Sequence, residues 1–350
     1  MRAFDESGKM ALIKLSKNAL FHNLSLLTAK AGAAQVAAVL KDNAYGHGLI
    51  ETATLCAEYK IRWAVVRTLA EARQIDALFE HILVLADRPA GEVPANVHFA
   101  LNDAIGVREW PAGTRVHLKI DSGMHRNGIA PADLNAVLSA VVDRGLRLTG
   151  VFSHLKSADE LSTELCWQEK NFAQIRAETE SFCRAQELDR PLFHLYNSAA
   201  TLRQKNADGY DLVRPGIALY GYCDLKTPFD PHGLKPVLSL WADRLSIRQI
   251  AKGDRIGYGG VFEAQEPLTA GCYDVGYGDG FLRLEGTEGY VTPEGKRLLG
   301  RVSMDNLTVE GDSETICLMQ DADYLARLRK TISYEALVRL SPLIGRVVTD

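Results

Sequence analysis

From its start to about Gly221 the chain repeats one pattern, a short apolar run followed by a longer amphipathic stretch, and this constrains the fold more than any other feature. Short continuous apolar runs read as strands buried on both faces, which is what a parallel sheet covered by helices requires. Eight runs qualify: Gln35 to Leu40, Arg62 to Val66, Ile82 to Ala86, Val97 to Leu101, Arg115 to Ile120, Leu148 to Phe152, Leu192 to His194 and Asp211 to Arg214. Between them lie segments such as Pro131 to Arg144, where Leu134, Val137, Leu138, Val141 and Val142 recur at helical spacing behind a proline suited to a first turn. The spacing predicts an α/β fold, a (β/α)8 TIM-type barrel over residues 15–225.

After Tyr222 the character changes. Pro228, Pro231 and Pro236 read as a linker, and the strands beyond it come without helices between them. Leu238 to Ile250, Leu268 to Val275, Gly289 to Thr292 and Arg297 to Val302 are separated by KGD, GYGDG and PEGK turns, and only Tyr334 to Leu340 reads as helical. Residues 226–350 are therefore expected to form a mostly β C-terminal domain, and a chain of 350 residues is long enough for two cores.

A formal net charge of -4 gives no electrostatic reason to expect nucleic acid or an anionic membrane as partner. The start, MRAFDESGKMALIKL, has no apolar run of signal-peptide length, and no later stretch approaches the roughly 18 apolar residues of a membrane span, so a cytoplasmic location is expected. The cysteines, at positions 56, 166, 183, 223, 272 and 317, show no C-x-x-C pair and no cysteine-histidine cluster at metal-ligand spacing. They read as reduced thiols, with no metal site.

Chemistry enters at Lys41. The apolar run Val36 to Leu40 ends in this lysine, and the chain then turns polar and flexible through Asp42, Asn43, Gly46 and Gly48. Barrel enzymes carry their functional side chains at the C-terminal ends of the strands. An amine there forms a Schiff base with a carbonyl cofactor when its surroundings favour the neutral form, although a lone strand-end lysine is more often a solvated surface residue.

The string VLKDNAYGHG resembles the pyridoxal phosphate attachment motif of the alanine racemase family. KIDSGMHRNGI, FSHLKSADE, HLYNSAA, VRPGIALYG, IGYGG, GYGDG, GRVSMDN and ISYEAL follow in the order that family shows, from about residue 11 to 345. The resemblance implies a cofactor-bearing barrel, a β domain that the N-terminal strand within residues 1–14 joins, pyridoxal 5'-phosphate as cofactor, and a homodimer whose active sites are shared between subunits. The implied function is two-base interconversion of L- and D-alanine, supplying D-alanine for cell-wall peptidoglycan.

Racemisation takes the α-proton from one face of the amino acid and returns one to the other, so two bases must oppose each other. The resemblance assigns Lys41 to one face and Tyr258, from the second subunit, to the other. A phenol with an ordinary pKa near 10 needs a cation or hydrogen-bond network to act as a base at neutral pH, and His154 and Arg214 match the positions that supply one. Arg214 is also matched to the residue that hydrogen-bonds the cofactor's ring nitrogen; a guanidinium stays protonated, so the ring nitrogen stays neutral and the carbanion is less delocalised. Tyr45, Asn197, Ser198, Tyr334 and the backbone N–H groups of Gly216 and Ile217 match the cofactor and phosphate positions, with Ser198 also reading as a helix start. Arg126 is matched to the contact with the phenolic oxygen and the substrate carboxylate. Lys119 matches a lysine that the family often carbamylates, which would turn a repulsive neighbour of Arg126 into an anion that pairs with it. Met304, Asp305 and Tyr277 match the substrate-pocket wall and entrance.

Two departures stand out. Tyr196 occupies a position where the family has a small residue and is expected to narrow the pocket or change cofactor affinity, and Ser303 stands before Met304-Asp305. A serine or broader-specificity racemase of the same fold would keep every residue named above. A basic amino-acid decarboxylase would need other substrate motifs, and a single-barrel pyridoxal phosphate binding protein would lack the β domain carrying Tyr258.

Overall fold

A computed structural model describes residues 11–204, 209–226, 229, 233–286 and 288–350. Pro228 and Pro231 of the expected linker, and residues 1–10 of the expected N-terminal strand, lie outside the described residues. The chain forms two compact units: one holds residues 20–44 and 52–235, the other the described residues up to Ala19 together with 45–51 and 236–350.

Strand β1 (Leu12–Ser16) belongs to the second unit. The first unit is built on seven parallel strands in sequential order: β2 (Ala37–Val39), β3 (Trp63–Val66), β4 (His81–Val84), β5 (Val97–Leu101), β6 (Arg115–Lys119), β7 (Arg147–Phe152) and β8 (Leu192–His194). Six of them are buried for most of their length and β7 over its last three residues, which is why their sequences read as apolar runs rather than alternating ones. The expected eighth strand, Asp211 to Arg214, is reduced to two parallel bridges, His194 with Leu212 and Val36 with Val213. It still closes the barrel: the N–H of Arg214 donates to the Tyr196 carbonyl at 2.9 Å on one side and that of Ala37 to the Val213 carbonyl at 2.9 Å on the other. Pro215 limits its length, because a proline has no N–H to continue the ladder. Among the helices is the stretch expected at Pro131 to Arg144, a 3₁₀ turn at Pro131–Asp133 leading into a helix at Leu134–Asp143 that buries Leu134, Val137, Leu138 and Val141.

The second unit is organised by β9 (Leu238–Ile250), which begins and ends where the sequence places it. Its first part pairs with β1, and its last part, from Arg244, with β12 (Leu268–Tyr273); the short hairpin β10 (Arg255–Ile256) and β11 (Phe262–Glu263) lies between them in sequence. β13 (Leu307–Glu310) extends the sheet beyond β12, β14 (Thr315–Met319) pairs with β9, and β15 (Gly345–Thr349) runs parallel to β1. Thus the first described strand of the chain is paired on both sides within a sheet of C-terminal strands.

Two expectations for this unit need correction. Gly289 to Thr292 and Arg297 to Val302 form no strands, only the bridges Val291 with Arg297 and Leu298 with Val309, because glycines and a PEGK turn interrupt any longer ladder. The C-terminal region also holds a second helix, Ala322–Leu328, opened by Asp321, whose carboxylate accepts from the Asp323 N–H at 2.9 Å; the other helix spans Ser333–Val338.

Candidate active site

Parallel strands that leave the sheet in one direction bring their C-terminal ends together, and this end of the barrel collects most of the expected residues. Lys41 lies two residues beyond β2, directly after Leu40, Lys119 ends β6, His154 lies two residues beyond β7, Asn197 and Ser198 follow β8, and Arg214 ends the bridging segment.

The backbone beyond Lys41 is unusual. Asp42, Asn43, Ala44 and Tyr45 all have φ between 51 and 55°, a left-handed turn made without glycine. Left-handed residues of this kind cost about 1–2 kcal/mol each, so the turn persists only where its surroundings fix it. Here the Ala44 N–H donates to the Leu40 carbonyl at 2.8 Å, the Asn43 N–H to Glu71 at 3.3 Å, and the Arg67 guanidinium to the Asp42 carboxylate at 3.1 Å. Glu71 is itself held by the capping box it forms with Thr68. The lysine therefore stands between a buried strand and a rigid turn, not on a loose loop.

Lys119 lies among cations. Burial, followed by the charges of Arg126 and Arg214, pulls its ammonium down to about 8, against a smaller opposing effect of Asp121. The loop after it folds back so that the Ile129 N–H donates to the Lys119 carbonyl at 2.8 Å, and Gly128 is required there: a Cβ would lie 2.9 Å from the Asp121 nitrogen. Asp121 is occupied by the N–H groups of Gly123, Met124 and His125, while Arg126 is exposed. Burial, then Arg214 and Arg126, also presses the His154 imidazole down to about 3, so it is neutral at physiological pH. The cation available to an acid-base network is thus Arg214, which burial lowers to about 9 and which remains protonated.

Arg214 is buried and clamped. Its Nη1 donates to His194 Nδ1 at 2.7 Å, and its Nη2 to the carbonyls of Ser153 at 2.6 Å and Leu195 at 3.4 Å. The Nε–H and one Nη1 proton are left for a further acceptor.

Ser198 is not the helix cap. Asn197 takes that role, its side chain accepting from the Ala200 N–H at 3.1 Å, and Ser198 occupies the first helical position. The Ser198 oxygen accepts the N–H groups of Gly216 at 2.9 Å and Ala218 at 3.2 Å, which leaves its hydroxyl proton to donate outward. Ile217 opens a 3₁₀ turn, where first N–H groups have no partner within the turn.

Tyr196 is held from the helical side. Its hydroxyl donates to Glu169 at 2.7 Å, on the helix Glu164–Ala185, and its ring meets Tyr210 edge-on at 4.7 Å. The ring is thereby tied to the outer helical layer.

In the other unit, Tyr45 and Tyr334 are brought together, ring centroids 5.8 Å apart. Tyr277, Met304 and Asp305 share one corner, where the Tyr277 N–H donates to the Ser303 carbonyl at 3.0 Å and the Gly278 N–H to that of Met304 at 2.8 Å. Tyr258 lies on a turn braced by Arg301 and flanked by Gly257, Gly259 and Gly260, all at positive φ, and its side chain is 71% exposed. Among the described residues no cluster of His, Cys, Asp and Glu suits a metal ion, and no helix is long and apolar enough to cross a membrane.

Sequence reasoning missed His117 and His194. Both are buried beside Arg214, and the available signal was a histidine in each of four largely buried strands, at positions 81, 98, 117 and 194.

The chain matches the model of the alanine racemase N-terminal domain over residues 15–224 and that of the C-terminal domain over residues 237–348. It is 44% identical to an alanine racemase of Nitratiruptor over 342 residues, 97% of this chain and 100% of the relative. With an alanine racemase of Campylobacter jejuni identity is 40% over 340 residues, 97% and 100% of the two chains. Among solved structures, the alanine racemase of D-cycloserine-producing Streptomyces lavendulae superposes with a TM-score of 0.85 at 26% identity, covering 99% and 98% of the two chains. That of Bacillus anthracis with bound L-Ala-P gives 0.83 at 28% identity, covering 98% and 95%. The matches span both units and nearly the whole chain, and the chain belongs to the alanine racemase family.

Proposed function

We propose that this chain interconverts L- and D-alanine with pyridoxal 5'-phosphate, in the cytoplasm, and so supplies D-alanine for cell-wall peptidoglycan. The observation that carries the reading is the barrel end: Lys41 held by a rigid turn, with Lys119, Arg126 and Arg214 around it and Asp121 turned to its own loop. Such a surplus of positive charge fits a cofactor that is anionic at its phosphate and phenolic oxygen. Ser198, with its free hydroxyl proton, and the N–H of Ile217 are assigned to the phosphate, joined by Asn197, Gly216, Tyr45 and Tyr334 as family-matched positions. The Gly216 N–H is already donated to Ser198, so its contribution is to orient that hydroxyl.

When bound, pyridoxal phosphate acidifies the α-proton of an amino acid attached to it. The chain's own part is to hold the cofactor and move protons. Lys41 Nζ is the anchor and one base. Tyr258, supplied by a second copy of the chain in a homodimer, is the opposing base, a role compatible with its exposed position on a braced turn. Arg214 has N–H groups left to offer the ring nitrogen and, as a guanidinium, gives it a hydrogen bond without giving up a proton. Arg126 and the backbone at Met304 are assigned to the substrate carboxylate, with Tyr277 and Asp305 at the entrance. A carbamate on Lys119 would pair with Arg126. A tight wall at Met304 would favour alanine over serine or larger substrates, but one methylene discriminates by only about 1–3 kcal/mol.

Borohydride reduction of the loaded enzyme tests the anchor. Peptide mapping should find the cofactor fixed on Lys41, with loss of racemisation; label on a different lysine overturns the assignment.

A further inference from the structure

The barrel core contains a polar chain that the reading above leaves unused. His81 opens β4, His98 lies in β5, His117 in β6, and His194 ends β8. His98, His117 and His194 are buried, and that burial above all keeps them neutral, His98 at about 3 and the other two well below the ordinary imidazole value. A neutral imidazole has one donor and one acceptor nitrogen, so fixing one end of a chain fixes every proton in it.

Arg214 fixes one end. A guanidinium only donates, so His194 Nδ1, 2.7 Å from Arg214 Nη1, accepts, and the His194 proton sits on Nε2. That nitrogen lies 2.8 Å from His117 Nδ1, which must accept in turn, so the His117 proton is on its own Nε2. There the chain stops: His117 Nε2 is buried without a hydrogen-bond partner, and its ring meets those of His98 and Trp63 edge-on, at centroid separations of 5.2 and 5.8 Å. From the other side, the Thr149 hydroxyl donates to the Val116 carbonyl at 3.1 Å, so its oxygen accepts from His98 Nδ1 at 2.9 Å. His98 Nε2 then accepts from His81 Nδ1 at 3.2 Å.

A buried N–H without an acceptor is costly, and one in a well-packed barrel needs a reason. We propose that it is retained because the opposite tautomer would set His117 N–H against His194 N–H and release Arg214: His117 is a positioning residue that locks His194 as an acceptor and Arg214 in one orientation. The surroundings serve this arrangement. The β6–β7 register shifts between Val116 and His117 and sets Gly150 opposite His117, where any Cβ would overlap the imidazole. Phe152 stacks on His194 at 4.9 Å and 2°, and Arg214 lies 5.1 Å above the same Phe152 ring, so neither partner is free to turn. The link to the reaction rests on the role proposed for Arg214; the tautomers do not.

The test is nitrogen NMR of protein labelled in its histidine rings, with and without pyridoxal phosphate. Protons are expected on Nε2 of His117 and His194 and on Nδ1 of His81 and His98. His117→Asn keeps an acceptor near the Nδ1 position, whereas His117→Leu removes it. The Asn variant should retain the His194 pattern and kcat for alanine within about twofold, while the Leu variant should mix the His194 tautomers and lower kcat by about tenfold, roughly one hydrogen bond to a charged group. A wild-type His194 protonated on Nδ1 overturns the proposal, as does a Leu variant with unchanged His194 signals. If the Leu variant fails to fold, the wild-type tautomers and the Asn variant decide. Mixed His194 tautomers at full kcat would uphold the lock and overturn the role given to Arg214.

Discussion

Lys119 should be an unusually reactive amine, and the pH at which it reacts follows from its surroundings. With its ammonium pulled from 10.5 to about 8, about a tenth of the side chain is neutral at pH 7, against about three in ten thousand for an ordinary lysine, a roughly 300-fold difference. Only the neutral amine attacks carbon dioxide, forming a new N–C bond and releasing one proton, so the side chain changes from a cation to an anion beside Arg126 and Arg214. The repulsion that lowers the ammonium is then replaced by attraction, which favours the adduct twice over. Carbon-13 NMR of the protein in labelled bicarbonate reads this directly. A carbamate signal is expected at pH 8, declining about tenfold per pH unit below that at fixed bicarbonate, because two protons are released in forming the adduct from the ammonium while dissolved carbon dioxide rises tenfold per unit, and absent from Lys119→Met. No signal at pH 8 to 9, or one that appears only near the ordinary lysine range, would refute the reasoning.

Acid should unfold the protein partly through its core histidines. Their folded values lie below the ordinary 6.5, so their contribution is complete above that pH and is lost as pH falls toward about 3, because the unfolded chain takes up protons the fold refuses. Each such histidine adds about 1.4 kcal/mol per pH unit to the slope, and His98→Gln should reduce that slope by up to one proton in denaturant titrations between pH 4 and 7. Tyr196→Phe removes the bond to Glu169 and should cost about 1 kcal/mol in urea unfolding while leaving KM for alanine unchanged; a shifted KM would return Tyr196 to the pocket.

The barrel was legible because seven of its strands are buried on both faces and carry the apolar runs that burial requires. The eighth was legible as a position but not as an element, since its ladder is supplied by its neighbours and stopped by Pro215. In the second unit β9 could be read from its length alone, whereas β13, β14 and β15 are short and take their partners from distant sequence, which no local pattern encodes. Lys41 could be found as a lysine ending an apolar strand, but the left-handed turn behind it could not, because Asp42 to Tyr45 include no glycine to announce it. The contacts of Tyr196 were illegible for a similar reason: adjacency to Asn197 and Ser198 fixed its place in the chain, and only the fold shows that its hydroxyl meets Glu169 and its ring Tyr210.

The central claim is that Lys41 and Tyr258 act on opposite faces of the substrate. Solvent exchange of the α-proton, measured separately from L- and D-alanine in the Tyr258→Phe variant, tests it most directly. The account predicts exchange strongly suppressed from one enantiomer and largely kept from the other. Equal loss from both, or no loss from either, would contradict it.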